Sequence, residues 1–192
     1  MHAVGSKVVV VGERFCAPFA VELDVSQKSA LKSDFEVRDP QNRLVFKLDS
    51  HALSLHDKKV LVDQDGNPIL CAHKAKLISA HEKWEASLGD KYDEEKKLFW
   101  LQKAKVMQFK THLEVFLPSN PGPNPDFTVK GDFLERQVQI FCGEDSIIAE
   151  VKRKMTASNV LMDKHSFVVT VWPNVDQAFI ATLVVVMDEI QD

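Results

Sequence analysis

The clearest pattern in the chain runs from Val106 to Leu117. Met107, Phe109, Thr111, Leu113, Val115 and Leu117 share one parity. Gln108, Lys110, His112 and Glu114 share the other, with Phe116 the one break. Successive side chains of a strand point to opposite faces, so a period of two predicts a half-buried strand. Leu134 to Cys142 and Phe167 to Trp172 alternate in the same way. Two hairpins are also legible. Phe35 to Arg38 and Arg43 to Leu48 flank Asp39-Pro40-Gln41-Asn42, where proline presets φ and aspartate can bond the backbone that follows. Val60 to Val62 and Ile69 to Ala72 flank a turn in which Gly66 is free to take φ > 0.

Loops punctuate this rhythm. Pro118 to Asp126 carries Pro118, Pro121, Pro123 and Pro125 and is barred from a central strand. Gly89 to Lys97 is charged and polar and reads as a solvent loop. A faint repeat joins Gly66-Asn67-Pro68-Ile69-Leu70 to Gly143-Glu144-Asp145-Ser146-Ile147-Ile148. Each is a glycine turn and an apolar pair, followed by lysines two apart.

The C-terminal stretch breaks the pattern. Ala178 to Met187 contains no charge, and Asn174 with Gln177 three residues later has capping-box spacing. The valine run favours strand, but its length and the absence of a turn signal before Asp188 predict a helix, over about 174–191. A helix apolar on every face must be buried all round. In a β chain its natural place is inside a closed barrel. Asp188, Glu189 and Asp192 stand where the helix dipole prefers cations, a small cost if that end emerges into water.

Composition narrows the classes. The 192 residues carry 24 basic and 28 acidic side chains, a net charge of −4 that argues against nucleic acid as partner. Three distant cysteines, Cys16, Cys71 and Cys142, make no disulfide framework and suit a reducing, cytoplasmic or nuclear setting. The longest apolar run is about half of the ~20 residues of a membrane span, so no transmembrane segment is expected. There is no GxGxxG, GxxxxGK or GxSxG motif. His51, His56 and Asp57 lack an identifiable nucleophile. Cys71 and His73 share a strand face, but two ligands do not make a zinc site. Asp63, Asp65 and Asn67 miss the calcium-loop spacing and read as a hairpin turn.

Several stretches, taken in order, carry a family resemblance. They are Phe15-Cys16-Ala17-Pro18-Phe19, then Leu55 to Asp63 followed by Gly66 and Pro68. His81-Glu82-Lys83-Trp84, Phe127-Thr128-Val129-Lys130-Gly131 and Trp172 to Ala181 complete the set. Together they resemble the plant LURP-one-related family, within the tubby C-terminal-like and phospholipid scramblase-like superfamily. The resemblance implies a twelve-stranded antiparallel β-barrel around a hydrophobic C-terminal helix. It implies one domain over residues 15–192 behind a flexible extension at 1–14, and an association with plant defence. The family's biochemical activity is unassigned, and from the residues themselves no cofactor, no metal and no catalytic residues are expected.

The candidate chemistry is basic. Lys96 to Leu113 contains no acid, and Lys103, Lys105 and Lys110 fall within it. Lys152-Arg153-Lys154 forms a second cluster. Such groups attract anionic lipid headgroups by about 1 kcal/mol per side chain near a membrane surface. The competing reading is a solvated strand face that guards against aggregation. By analogy with the fold that the resemblance implies, the expected protein is a non-enzymatic binding module for phosphoinositides or other anionic lipids, cytoplasmic and peripheral at the plasma membrane or nuclear. The alternative is a protein-interaction scaffold in defence signalling.

Overall fold

The computed structural model describes residues 7–29, 32–50, 58–75, 82–104, 111–132, 137–154 and 165–191. Twelve strands follow one another: β1 (Val21–Ser29), β2 (Lys32–Arg38), β3 (Leu44–Asp49), β4 (Lys58–Asp63), β5 (Pro68–Lys74), β6 (Lys83–Leu88), β7 (Lys97–Lys103), β8 (Thr111–Phe116), β9 (Phe127–Asp132), β10 (Gln137–Cys142), β11 (Ser146–Arg153) and β12 (Ser166–Val171). Each pairs antiparallel with its chain neighbours, and β1 pairs with β12 from Val21↔Val171 to Ser26↔Ser166, closing the barrel. Closure removes the exposed edges that an open sheet would leave to aggregation. The predicted strands and both hairpins stand where alternation placed them. Of the Val106 to Leu117 pattern, 106–110 lie outside the described residues, as do 134–136 of the Leu134 to Cys142 pattern.

The helix α1 (Gln177–Gln191) follows β12 and threads the barrel. Ala178 to Met187 are each at most 1% exposed. Three consecutive valines would not hold a helix in water. Here burial on all sides overrides propensity, each buried Val, Leu, Ile or Phe being worth roughly 1.5–3 kcal/mol. The Phe179 ring meets Phe99 edge-on at 5.1 Å and Phe127 at 4.9 Å. The one polar side chain in this run, Thr182, donates its hydroxyl to the Ala178 carbonyl at 2.8 Å.

The cap differs from the one expected. Asn174 is in the left-handed region with φ 64°, and the capping carboxylate belongs to Asp176, whose Oδ1 accepts from Phe179 N at 3.1 Å. Its Oδ2 accepts from Val10, Val11 and Gly12 N–H groups at 3.2, 2.7 and 3.0 Å. Val8 adds a parallel bridge to Val175. Residues 8–12 of the expected extension are thus tied to the start of α1.

Strict alternation of strand direction gives the barrel two rims. At the helix-start rim lie the β2–β3 and β4–β5 turns, where Asn42 and Gly66 take φ of 63° and 85°. Gly143 (φ 64°) turns β10 into β11 on this same rim. At the helix-end rim, odd-numbered strands finish and even-numbered strands begin. The Gly89 to Lys97 loop lies largely in solvent, as expected, with Asp90, Lys91 and Glu94 to Lys96 exposed, but it is anchored through Tyr92. Tyr92 packs on an outer cluster of Val60, Val62 and Cys71 and lies over the His73 ring at 4.1 Å.

Candidate functional site

The basic candidates lie at the helix-end rim, but not on one face. Lys103 ends β7 on the row of Phe99 and Leu101, which face inward, and is exposed where the strand meets the rim. Lys105 and Lys110 lie outside the described residues, between β7 and β8. In β11, Ala149 and Val151 point into the core, so alternation turns Arg153 inward and Lys152 and Lys154 outward. The Arg153 guanidinium sits 5.6 Å from the inward-facing Phe167 ring. Lys154 is ion-paired with Asp24 of β1. Lys152, 60% exposed at its side chain, is 4.0 Å from Glu150. The expected run of three cations thus resolves into one solvated lysine, one neutralised lysine and one inward arginine. Three strands separate β7 from β11, which puts their ends roughly 19 Å apart around the rim at the usual strand spacing.

A second charged group at this rim was not anticipated. Lys59, at 0% exposure, shares its inward row with Leu61, and its Nζ pairs with Glu189 Oε1 at 2.7 Å and donates to Ser50 Oγ at 2.9 Å. Burial pushes the Lys59 ammonium below its ordinary pKa, and Glu189 works against that shift. His165 Nδ1 meets Asp188 Oδ2 at 2.7 Å, and Asp34 accepts from Ser50 N at 2.8 Å. Asp188 and Glu189 therefore do not emerge into water, and Asp192 lies outside the described residues. Both stay in the barrel, where the Lys59 ammonium pairs with Glu189 and the His165 ring meets Asp188, at the helix end where the dipole disfavours carboxylates. A Lys-Lys pair opening a strand carries no local sign that its second member is buried.

On the outer face, Glu85 accepts from Lys83 at 2.7 Å and Lys97 at 3.2 Å. Burial alone would raise the Glu85 carboxyl, but these two ammonium groups outweigh it and hold its pKa below the usual value. Cys71 and His73 share this face as alternation required. Burial raises the thiol and lowers the imidazole. Among the described residues no group of three His, Cys, Asp or Glu side chains is arranged to hold a metal ion. His51, His56 and Asp57 lie outside the described residues.

The barrel order, the threaded helix and the charged rims can be set beside known proteins. A family model described as LURP-one-related matches residues 21–188. The chain belongs to the LURP-one-related family. Relatives in Arabidopsis thaliana include Protein LURP-one-related 15, 38% identical over 95% of this chain and 85% of its own length. Protein LURP-one-related 10 is 36% identical over 95% and 96%. An X-ray structure of an A. thaliana protein, 33% identical, superposes with a TM-score of 0.75 over 96% of this chain and 99% of that one. Family membership thus spans the whole barrel, including β1, which closes it, and all but the last turn of α1.

Proposed function

We propose that this LURP-one-related barrel is a non-enzymatic binding module that meets anionic phospholipid headgroups, phosphoinositides among them, with its helix-end rim. The observation carrying this reading is the placement of Lys103 and Lys152, two exposed lysines closing different strands of one rim. The contact would be peripheral and electrostatic. Among the described residues no helix is long and apolar enough to cross a membrane. The packing of α1 against the barrel wall supports a non-catalytic role, because Phe99, Phe127 and Phe179 occupy the space where an internal substrate would sit. A setting at the cytoplasmic membrane surface in plant defence is what the resemblance implies, and it is part of the proposal.

Flotation with vesicles containing phosphatidylinositol phosphates, across salt concentrations, tests it. Binding that falls as salt rises is expected, since exposed charges are screened over about 10 Å at 0.1 M. Equal recovery with neutral vesicles would sink the reading.

One observation favours the scaffold alternative. Phe19 is 65% exposed, with Val9 at 39%, on the N-terminal segment beside the helix-start rim. A protein partner would cover these, and Phe19→Ser would then abolish capture of that partner while leaving vesicle binding intact.

A further inference from the structure

The helix-start rim carries a cleft of about 450 Å³. That is within the range of roughly 300–1,000 Å³ typical of small-ligand sites. Two hairpin turns of one design form its walls. In the first, Asp39 Oδ1 accepts from Gln41 N at 3.0 Å and Arg43 N at 2.9 Å. In the second, Asp63 Oδ1 accepts from Asp65 N at 2.9 Å and Asn67 N at 2.8 Å. Both turns are closed again by the residue four positions on: Arg43 Nε donates to Asp39 Oδ2 at 2.7 Å, and Asn67 Nδ2 to Asp63 Oδ2 at 3.0 Å. Walls fixed in this way are preorganised, which lowers the entropic cost of binding.

The groups left over are complementary. Asp39 and Asp63 are committed to their own turns. Asp65 is exposed, and its carboxylate has no hydrogen bond or ion pair among the described residues. Arg14 is exposed, has no ion pair among them, and lies 4.7 Å from the Phe15 ring centroid. The half-buried Phe15 ring, edge-on at 5.8 Å to the buried Phe46 ring, supplies an aromatic surface in the same cleft. With Arg43 paired to Asp39 and Asp63 held in its own turn, where the Arg14 charge also reaches it, Arg14 and Asp65 are the cation and anion left for a ligand of opposite charges with an apolar body.

We propose that this cleft binds a small zwitterion of the free amino-acid class. Its carboxylate would face Arg14, its ammonium Asp65, and its apolar side chain the Phe15 ring. The site lies at the rim opposite the lysines and stands independently of the lipid reading.

Calorimetric titration of the full chain with leucine and phenylalanine, their amides and their N-acetyl derivatives tests it. The amide lacks the carboxylate and the N-acetyl form lacks the ammonium. Saturable binding of a free amino acid is expected, weakened at least about tenfold in each capped form. Arg14→Gln should erase the penalty for the amide, and Asp65→Asn the penalty for the N-acetyl form. Both positions are exposed, so an unchanged melting temperature verifies folding. No saturable binding to the folded protein, capped forms that bind as tightly as the parents, or binding unaffected by both substitutions would each overturn the proposal.

Discussion

Lys59 and Glu189 meet at 2.7 Å across the inside of the barrel, joining the start of β4 to the last turn of α1. Removing one partner of a buried pair strands the other charge, at about 3–5 kcal/mol. Lys59→Met should therefore lower the unfolding free energy by roughly that amount. Adding Glu189→Gln to Lys59→Met should recover part of the loss. Urea denaturation of the four members of the cycle measures this. Additive losses would mean the two residues do not act as a pair.

Asp176 holds two structures with one carboxylate. Asp176→Ala removes a helix cap, worth about 0.5–2 kcal/mol, together with the acceptor of three backbone N–H groups. Asp176→Asn should be nearly as damaging, because an amide nitrogen placed where Oδ2 sits cannot accept from Val10, Val11 and Gly12. Thermal melting and amide exchange at residues 8–12 check this. Wild-type protection in the Asn variant would count against it.

Gly131 is needed for space. A Cβ built on it falls 2.4 Å from the Gln137 carbonyl oxygen and 2.7 Å from Val138 Cα, both backbone atoms of the neighbouring strand. Gly131→Ala must push β9 and β10 apart, an overpacking strain of about 1–3 kcal/mol. A denaturation midpoint equal to wild type would contradict this.

Acid should act in two stages. Burial holds the His73 pKa below its ordinary value near 6.5, so the unfolded chain takes up that proton first. Stability contributed by the neutral ring is full above about pH 6.5 and is lost as pH falls from there through the folded value. Glu85 and Glu36 come later. Burial opposes their ionisation, but Lys83 and Lys97 for Glu85, and Lys28 and Arg38 for Glu36, hold both pKa values low. Their contribution is present above about pH 4.3 and is lost as pH falls through the folded values. His73→Gln should remove the first stage and spare the second in unfolding free energies measured against pH.

What the sequence reveals about this fold follows from how local each signal is. Alternation around Leu113 and Val115 and the turn chemistry at Asp39 and Gly66 lie within a few residues, so strands and hairpins were readable. The charge-free run from Ala178 to Met187 demanded burial on every side, and only a closed barrel supplies that. The cap was misplaced from Asp176 to Asn174 because the two residues differ through contacts with Val10, Val11 and Gly12, more than 160 positions away. Lys59 was unreadable for the same reason, its partner Glu189 standing at the far end of the chain. The Lys152-Arg153-Lys154 cluster looked uniform along the chain. Strand alternation turned Arg153 inward, and Asp24 from β1 neutralised Lys154.

The most direct test of the proposed function reverses charge at one rim and then the other. Lys103→Glu with Lys152→Glu alters the helix-end rim, and Lys7→Glu with Lys96→Glu adds the same charge to exposed positions at the helix-start side. With vesicles containing phosphatidylinositol phosphates, the first pair should lose binding by at least about tenfold, at roughly 1 kcal/mol per lysine removed and more for reversal. The second pair should bind nearly as wild type. Equal binding by both pairs would contradict recognition through the helix-end rim.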